Sequence, residues 1–246
     1  MLHKFMSIDP VRLALYATIM TWLFTLLGSA VVIFFKKVNK TVMDSMLGVA
    51  SGVMIAASFW SLLEPGIERA ALKGQIPWLI ASLGFISGTL LIILSDKIVN
   101  KVTKKFDNAR KSKLNRILML IISITVHNIP EGLAVGLAFG GLKGNLTEPL
   151  LMGAFLFALG IGIQNFPEGA AVSLPLRREG YSRKKAFFIG QLSGFVEPIA
   201  GVIGALLVIK IESILPFFLC FAAGAMIFAT HGWMQLPTWL SQVSVH

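Results

Sequence analysis

Seven stretches of this chain are apolar for roughly the thickness of a bilayer. That repetition constrains the fold more than any other feature. They lie at about 11–35, 42–63, 77–98, 114–140, 149–176, 186–209 and 213–236. A helix needs about 20 mainly apolar residues to cross the hydrocarbon core. Within lipid every backbone polar group must be satisfied internally, so a helical span is the natural solution. Only 14% of the residues are charged, against about 25% in soluble domains. The expected fold class is an all-α polytopic membrane protein with seven spans, residues 1–246 forming one transmembrane domain. The first apolar run, "ALYATIMTWLFTLLGSAVVIFF", exceeds a typical signal-peptide core and reads as an uncleaved helix.

The formal charge of +10 is explained by orientation, without invoking nucleic acid. Lys36, Lys37 and Lys40 follow the first run. Lys97, Lys101, Lys104, Lys105, Arg110, Lys111, Lys113 and Arg116 follow the third, and Arg177, Arg178, Arg183, Lys184 and Lys185 the fifth. Sixteen of the 22 basic residues thus fall on one side of a seven-span layout, and excess basic charge marks the cytoplasmic side. The N-terminus is then expected outside and residues 99–113 in a cytoplasmic basic loop, which has no histidine with which to sense a metal. Cys220 is the only cysteine, which excludes an intramolecular disulfide and a thiolate metal cluster.

Against this background, "HNIPEG" at His127–Gly132 and "QNFPEG" at Gln164–Gly169 stand inside apolar runs. Glu131, Glu168 and Glu197 are the three of the twelve acidic residues that fall well within spans, and no lysine or arginine falls equally deep in those spans to pair with them. A charge near the bilayer centre costs at least ~2.5–3.5 kcal/mol. Three uncompensated ones cost on the order of 8–10 kcal/mol, comparable to the stability of a whole domain. A cation or protonation must offset that cost.

The spacing refines the inference. His127 and Glu131 are i, i+4 and share a helix face; Gln164, Asn165 and Glu168 repeat the pattern 37 residues later on the next span. Consecutive spans run in opposite directions, so an inverted pair would bring the two copies together near mid-membrane. Pro130 and Pro167 each remove a helix hydrogen bond, freeing the carbonyls of Val126 and Ile163. Gly132 and Gly169 allow another helix to approach closely. Imidazole, amide oxygens and carboxylates suit Zn²⁺, Fe²⁺, Mn²⁺ or Cd²⁺ rather than Cu⁺. On residues alone two other classes compete. One is a water or small-solute channel built on paired N-x-P motifs, which here lack an excluding arginine. The other is an intramembrane metallo-enzyme, for which H-E-x-x-H is absent.

The stretches "HNIPEGLAVGLAFGG", "GIGIQNFPEGAAVSLPL", "GQLSGFVEPIAGVIGA" and "LGVASGVMIAASFWSLLEPGIE" resemble the ZIP family of divalent metal transporters, closest to its GufA-like branch. The likeness covers residues ~10–229. It implies a ZIP-like helix bundle of eight helices, of which the usual eighth is missing or altered here. Residues 230–246 form an atypical tail, "THGWMQLPTWLSQVSVH". It also implies a binuclear metal site between the fourth and fifth helices, with the ion as substrate and no separate cofactor. His127, Glu131, Gln164 and Glu168 match one metal position. Asn128, Asn165, Glu131, Glu168 and Glu197 match the adjoining one, with Asn165 where some members have aspartate. Met54 matches a methionine ligand, and Ser61 and Glu64 are expected to line the entrance. Family members move metal toward the cytoplasm, usually as homodimers. The expected location is an integral protein of the plasma (inner) membrane.

Overall fold

The computed structural model describes residues 5–35, 40–104, 112–144, 146–210 and 212–242, among which all regular structure is helical. α1 spans Pro10–Phe34. α2 spans Lys40–Ala57 and passes through a π-helical turn, Ser58–Leu63, into α3, Glu64–Leu72. α4 spans Pro77–Lys104, α5 Ser112–Gly140 and α6 Glu148–Arg178. α7, Arg183–Gly194, and α8, Val196–Lys210, form one rod broken at Phe195. α9 spans Leu215–Gln242.

Each of the seven expected apolar segments therefore lies on one helical rod. Five rods are long and apolar enough to cross a membrane, and Leu215–Thr230 of α9 is a shorter apolar helix. Two boundaries differ from the sequence reading. The second rod runs to Leu72, because "EPGIERAAL" is polar yet helical and an apolar count stops before it. The sixth is not continuous: Pro198 has no N–H for the Gly194 carbonyl, and the chain turns at Phe195 just before it. Much of the expected cytoplasmic loop, residues 105–111, and the last residues of the tail, 243–246, lie outside the described residues. The tail up to Gln242 continues α9.

α1 shows how the bundle is organised. Its buried stripe is Ala14, Ala17, Thr18, Thr21, Thr25, Gly28, Ser29 and Val32; Tyr16, Leu23, Leu27, Ile33 and Phe34 face outward. The threonine and serine hydroxyls turn in beside Leu13 and Val32, and the other large side chains turn out. The same holds elsewhere, with Leu156, Ile163, Ile199 and Ile203 exposed while Asn128, Glu131, Glu168 and Glu197 are fully or almost fully buried. So much contiguous exposed hydrocarbon does not suit water, whereas a bilayer solvates it.

Helix association in lipid relies on small residues that let backbones touch. α1 packs most extensively on α6, α5 on α8 and α4 on α9. A methyl group on Gly136 would meet the Gly201 carbonyl, and one on Gly140 would lie 2.7 Å from the Ala205 Cα, so α5 and α8 run in backbone contact. Gly74 and Gly180, with φ of 68° and 93°, end α3 and α6. In each case the following residue donates back into the last turn, Gln75 to the Ala70 carbonyl and Tyr181 to that of Leu176, which closes a Schellman cap. Pro130 and Pro167 sit within α5 and α6, and neither interrupts its helix.

Gly136→Ala is expected to destabilise the protein by about 1–3 kcal/mol through overpacking. Gly52→Ala, where a methyl group meets nothing within 4 Å, should cost no stability. Thermal melting in detergent compares the two.

Candidate metal centre

The two "PEG" motifs meet at the centre of the bundle. From α5, His127, Asn128 and Glu131 turn inward; from α6, Gln164, Asn165 and Glu168 do the same; and all six are 5% exposed or less. Gln164 Nε2 donates to Glu131 Oε1 at 3.0 Å, which joins the copies directly. The glycine that follows each glutamate admits a flanking helix. A methyl group on Gly132 would sit 2.5 Å from the Glu197 carbonyl oxygen of α8. One on Gly169 would meet the Thr25 carbonyl of α1 and lie 2.8 Å from the Ser29 nitrogen.

Glu197 enters from the start of α8, just past the break at Phe195. Its Oε2 accepts from Thr21 Oγ1 at 2.5 Å and Asn165 Nδ2 at 2.8 Å. Its Oε1 accepts from Asn128 Nδ2 at 3.4 Å and Thr25 Oγ1 at 3.5 Å. The remaining amide hydrogens go to main-chain carbonyls, from Asn128 to Ser193 and from Asn165 to Thr21, both at 3.3 Å.

Glu131 and Glu168 are placed differently. Glu131 Oε2 and both Glu168 carboxylate oxygens are buried without a hydrogen-bond donor. So are Asn128 Oδ1, Gln164 Oε1, Asn165 Oδ1 and His127 Nε2. Buried polar atoms are nearly always satisfied. Here the unsatisfied set is concentrated on the two motif copies and consists of oxygens and one imidazole nitrogen, which is the donor set for a cation. Among the described residues no three His, Cys, Asp or Glu side chains are arranged to hold an ion by themselves. The amide oxygens of Asn128, Gln164 and Asn165 are further atoms that could hold an ion there.

Met54 is buried in an apolar cluster with Leu47, Ile124 and Ala171. Ser61 is half-buried in the π-helical turn, and Glu64 at the start of α3 is exposed. A groove of about 320 Å³ between α2 and α6, lined among others by Val49, Val53 and Pro167, reaches Gln164.

Three residues that the sequence reading passed over belong to this surrounding. Thr21 and Thr25 bond Glu197, and their signal was the recurrence of Thr18, Thr21, Thr25 and Ser29 on one face of the first apolar run. Asp96 of α4 places Oδ1 3.7 Å from His127 Nε2, with its side chain 37% exposed. By linear position it stands near the end of its apolar run.

A sequence profile described as ZIP zinc transporter matches residues 108–234. The chain is 37% identical to "Zinc transporter ZIP11" of Xenopus tropicalis, over 89% of this chain and 87% of that one. It is 35% identical to the human protein of the same name, over 87% and 86%. It is 30% identical to "Zinc transporter GufA" of Myxococcus xanthus, over 87% and 84%. The chain belongs to the ZIP family. This assigns it to metal-ion transporters, and none of the three relatives is named as an enzyme or a water channel.

The contrast between the carboxylates can be measured without metal. Glu168→Gln exchanges an unpartnered buried charge for a neutral amide and is expected to raise stability in chelator. Glu197→Gln sets a new NH₂ group against donors already in place and is expected to lower it. Shifts of about 1–3 kcal/mol in opposite directions are expected, read by thermal melting.

Proposed function

We propose that this protein carries Zn²⁺ or a similar divalent transition-metal ion across its membrane through the cluster on α5, α6 and α8. The observation that carries the reading is the set of buried, donorless oxygens on Glu131, Glu168, Asn128, Gln164 and Asn165 beside the His127 imidazole. Unpaired carboxylate and amide oxygens grouped with an imidazole nitrogen in this way are stabilised by a bound cation. Metal binding of this kind releases the cost of the buried carboxylates while the ion is present, and restores it when the ion leaves.

Two ion positions fit the donor set unequally. His127, Glu131, Gln164 and Glu168 surround the first. Asn128, Asn165 and Glu197, sharing Glu131 and Glu168, surround the second. Glu197 already accepts from four donors, so the second position holds its ion more weakly. The direction of transport is toward the cytoplasm, with residues 99–113 on that side. Asp96, near the same end of α4 and beside His127, marks the way out. Zinc is favoured by the names of the relatives and by the mix of imidazole and carboxylate.

The test is zinc uptake into proteoliposomes. Wild type should load the vesicles, and Glu131→Ala should fall by more than about tenfold, since even outer-sphere changes cost 10–100-fold. A Glu131→Ala protein that transports at the wild-type rate would sink the reading. Osmotic water permeability of the same vesicles should not exceed that of empty ones.

A further inference from the structure

An asparagine can turn either an oxygen or an NH₂ group toward a cation, and only the oxygen binds it. In Asn128 and Asn165 the choice is fixed by the groups that take the amide hydrogens. Each NH₂ gives one hydrogen to a main-chain carbonyl and one to Glu197. A flipped amide would set its oxygen against a carbonyl and a carboxylate. Glu197 is the acceptor common to both, so the orientation of both amides depends on where its carboxylate is held.

That carboxylate is held from α1, a helix to which no ion ligand has been assigned. The Thr21 hydroxyl has one hydrogen and two acceptors in reach, Glu197 Oε2 at 2.5 Å and the Thr18 carbonyl at 2.9 Å. The closer oxygen is the carboxylate's, and an O–H bond to a carboxyl oxygen at this length is a short, strong one. Thr25 adds a longer contact to Oε1. Both threonines are buried, at 1% exposure or less. Gly194 backs the arrangement: a methyl group there would lie 2.8 Å from Thr25 Oγ1 and 3.0 Å from Glu197 Oε1.

We propose that Thr21, supported by Thr25, is a positioning residue of the ion site, fixing Glu197 so that it turns the amide oxygens of Asn128 and Asn165 toward the ion. The proposal rests on the reading of the cluster as a metal site. α1 then contributes to ion affinity without touching the ion.

The experiment measures Cd²⁺ binding to the purified full-length protein in detergent by titration calorimetry. The variants are Thr21→Val, Thr21→Ser, Asn165→Ala and the double variant Thr21→Val/Asn165→Ala, with Thr21→Ala in place of valine if that variant does not fold. Loss of the Thr21 hydroxyl is expected to weaken binding roughly 10–100-fold, and Thr21→Ser to restore most of it. Because Thr21 acts in part through Asn165, the loss in the double variant should be smaller than the sum of the two single losses. Thr18→Val is the control, since the Thr18 hydroxyl bonds the Ala14 carbonyl of its own helix at 2.8 Å; its affinity should match wild type. Wild-type affinity without the Thr21 hydroxyl overturns the proposal. So does a serine variant as weak as the valine one, additive losses in the double variant, or an equal loss in Thr18→Val. A wild-type protein that binds no Cd²⁺ overturns the site reading itself.

Discussion

Glu131 and Glu168 sit inside the bundle, and among the described residues no lysine or arginine is buried with them. The arrangement of the surrounding helices follows from that constraint. A carboxylate withdrawn from water needs donors, a cation or a proton. Glu197 has donors from α1, α5 and α6. Glu168 has none, and Glu131 has one from Gln164. The bundle thus satisfies one carboxylate with its own side chains and leaves the other two open, at the point where the two motif copies face each other.

Close helix contacts keep that difference in place. The glycine after each motif glutamate is where a neighbouring helix lies against the backbone, α8 at Gly132 and α1 at Gly169. The two contacts are counterparts, as are the extensive pairings of α5 with α8 and α6 with α1. A chain with larger residues at these positions would hold α1 and α8 away, and Thr21 and Glu197 would lose their reach. Packing and polar order are therefore one design, in which small residues bring the hydroxyls and amides within bonding distance.

Much of this was legible in the sequence. Seven apolar runs gave seven rods, and the repeated H/Q-N-x-P-E-G pattern led to six side chains that the structure gathers. Its i, i+3 and i, i+4 spacing needs no tertiary knowledge. Thr21 and Thr25 were harder to see, because a threonine within an apolar run bonds its own helix as readily as a neighbour, and only the packing of α1 on α8 and α6 distinguishes the cases. Asp96 was passed over because linear position places it at a span end, whereas the turn of α4 sets it beside His127. The break at Phe195 was obscured because residues 186–209 are apolar enough on average to count as one span. A glycine four residues before a proline was the local clue, since that carbonyl can have no helical partner.

The fixed amides carry a consequence for charge. With each NH₂ turned away toward Glu197 and main-chain carbonyls, the inward surface at Asn128 and Asn165 shows only lone pairs. At these two amides an anion would meet oxygen and no hydrogen to receive it. On the proposed reading of the cluster, rejection by sign precedes any comparison among metals, and size and ligand preference then sort the cations.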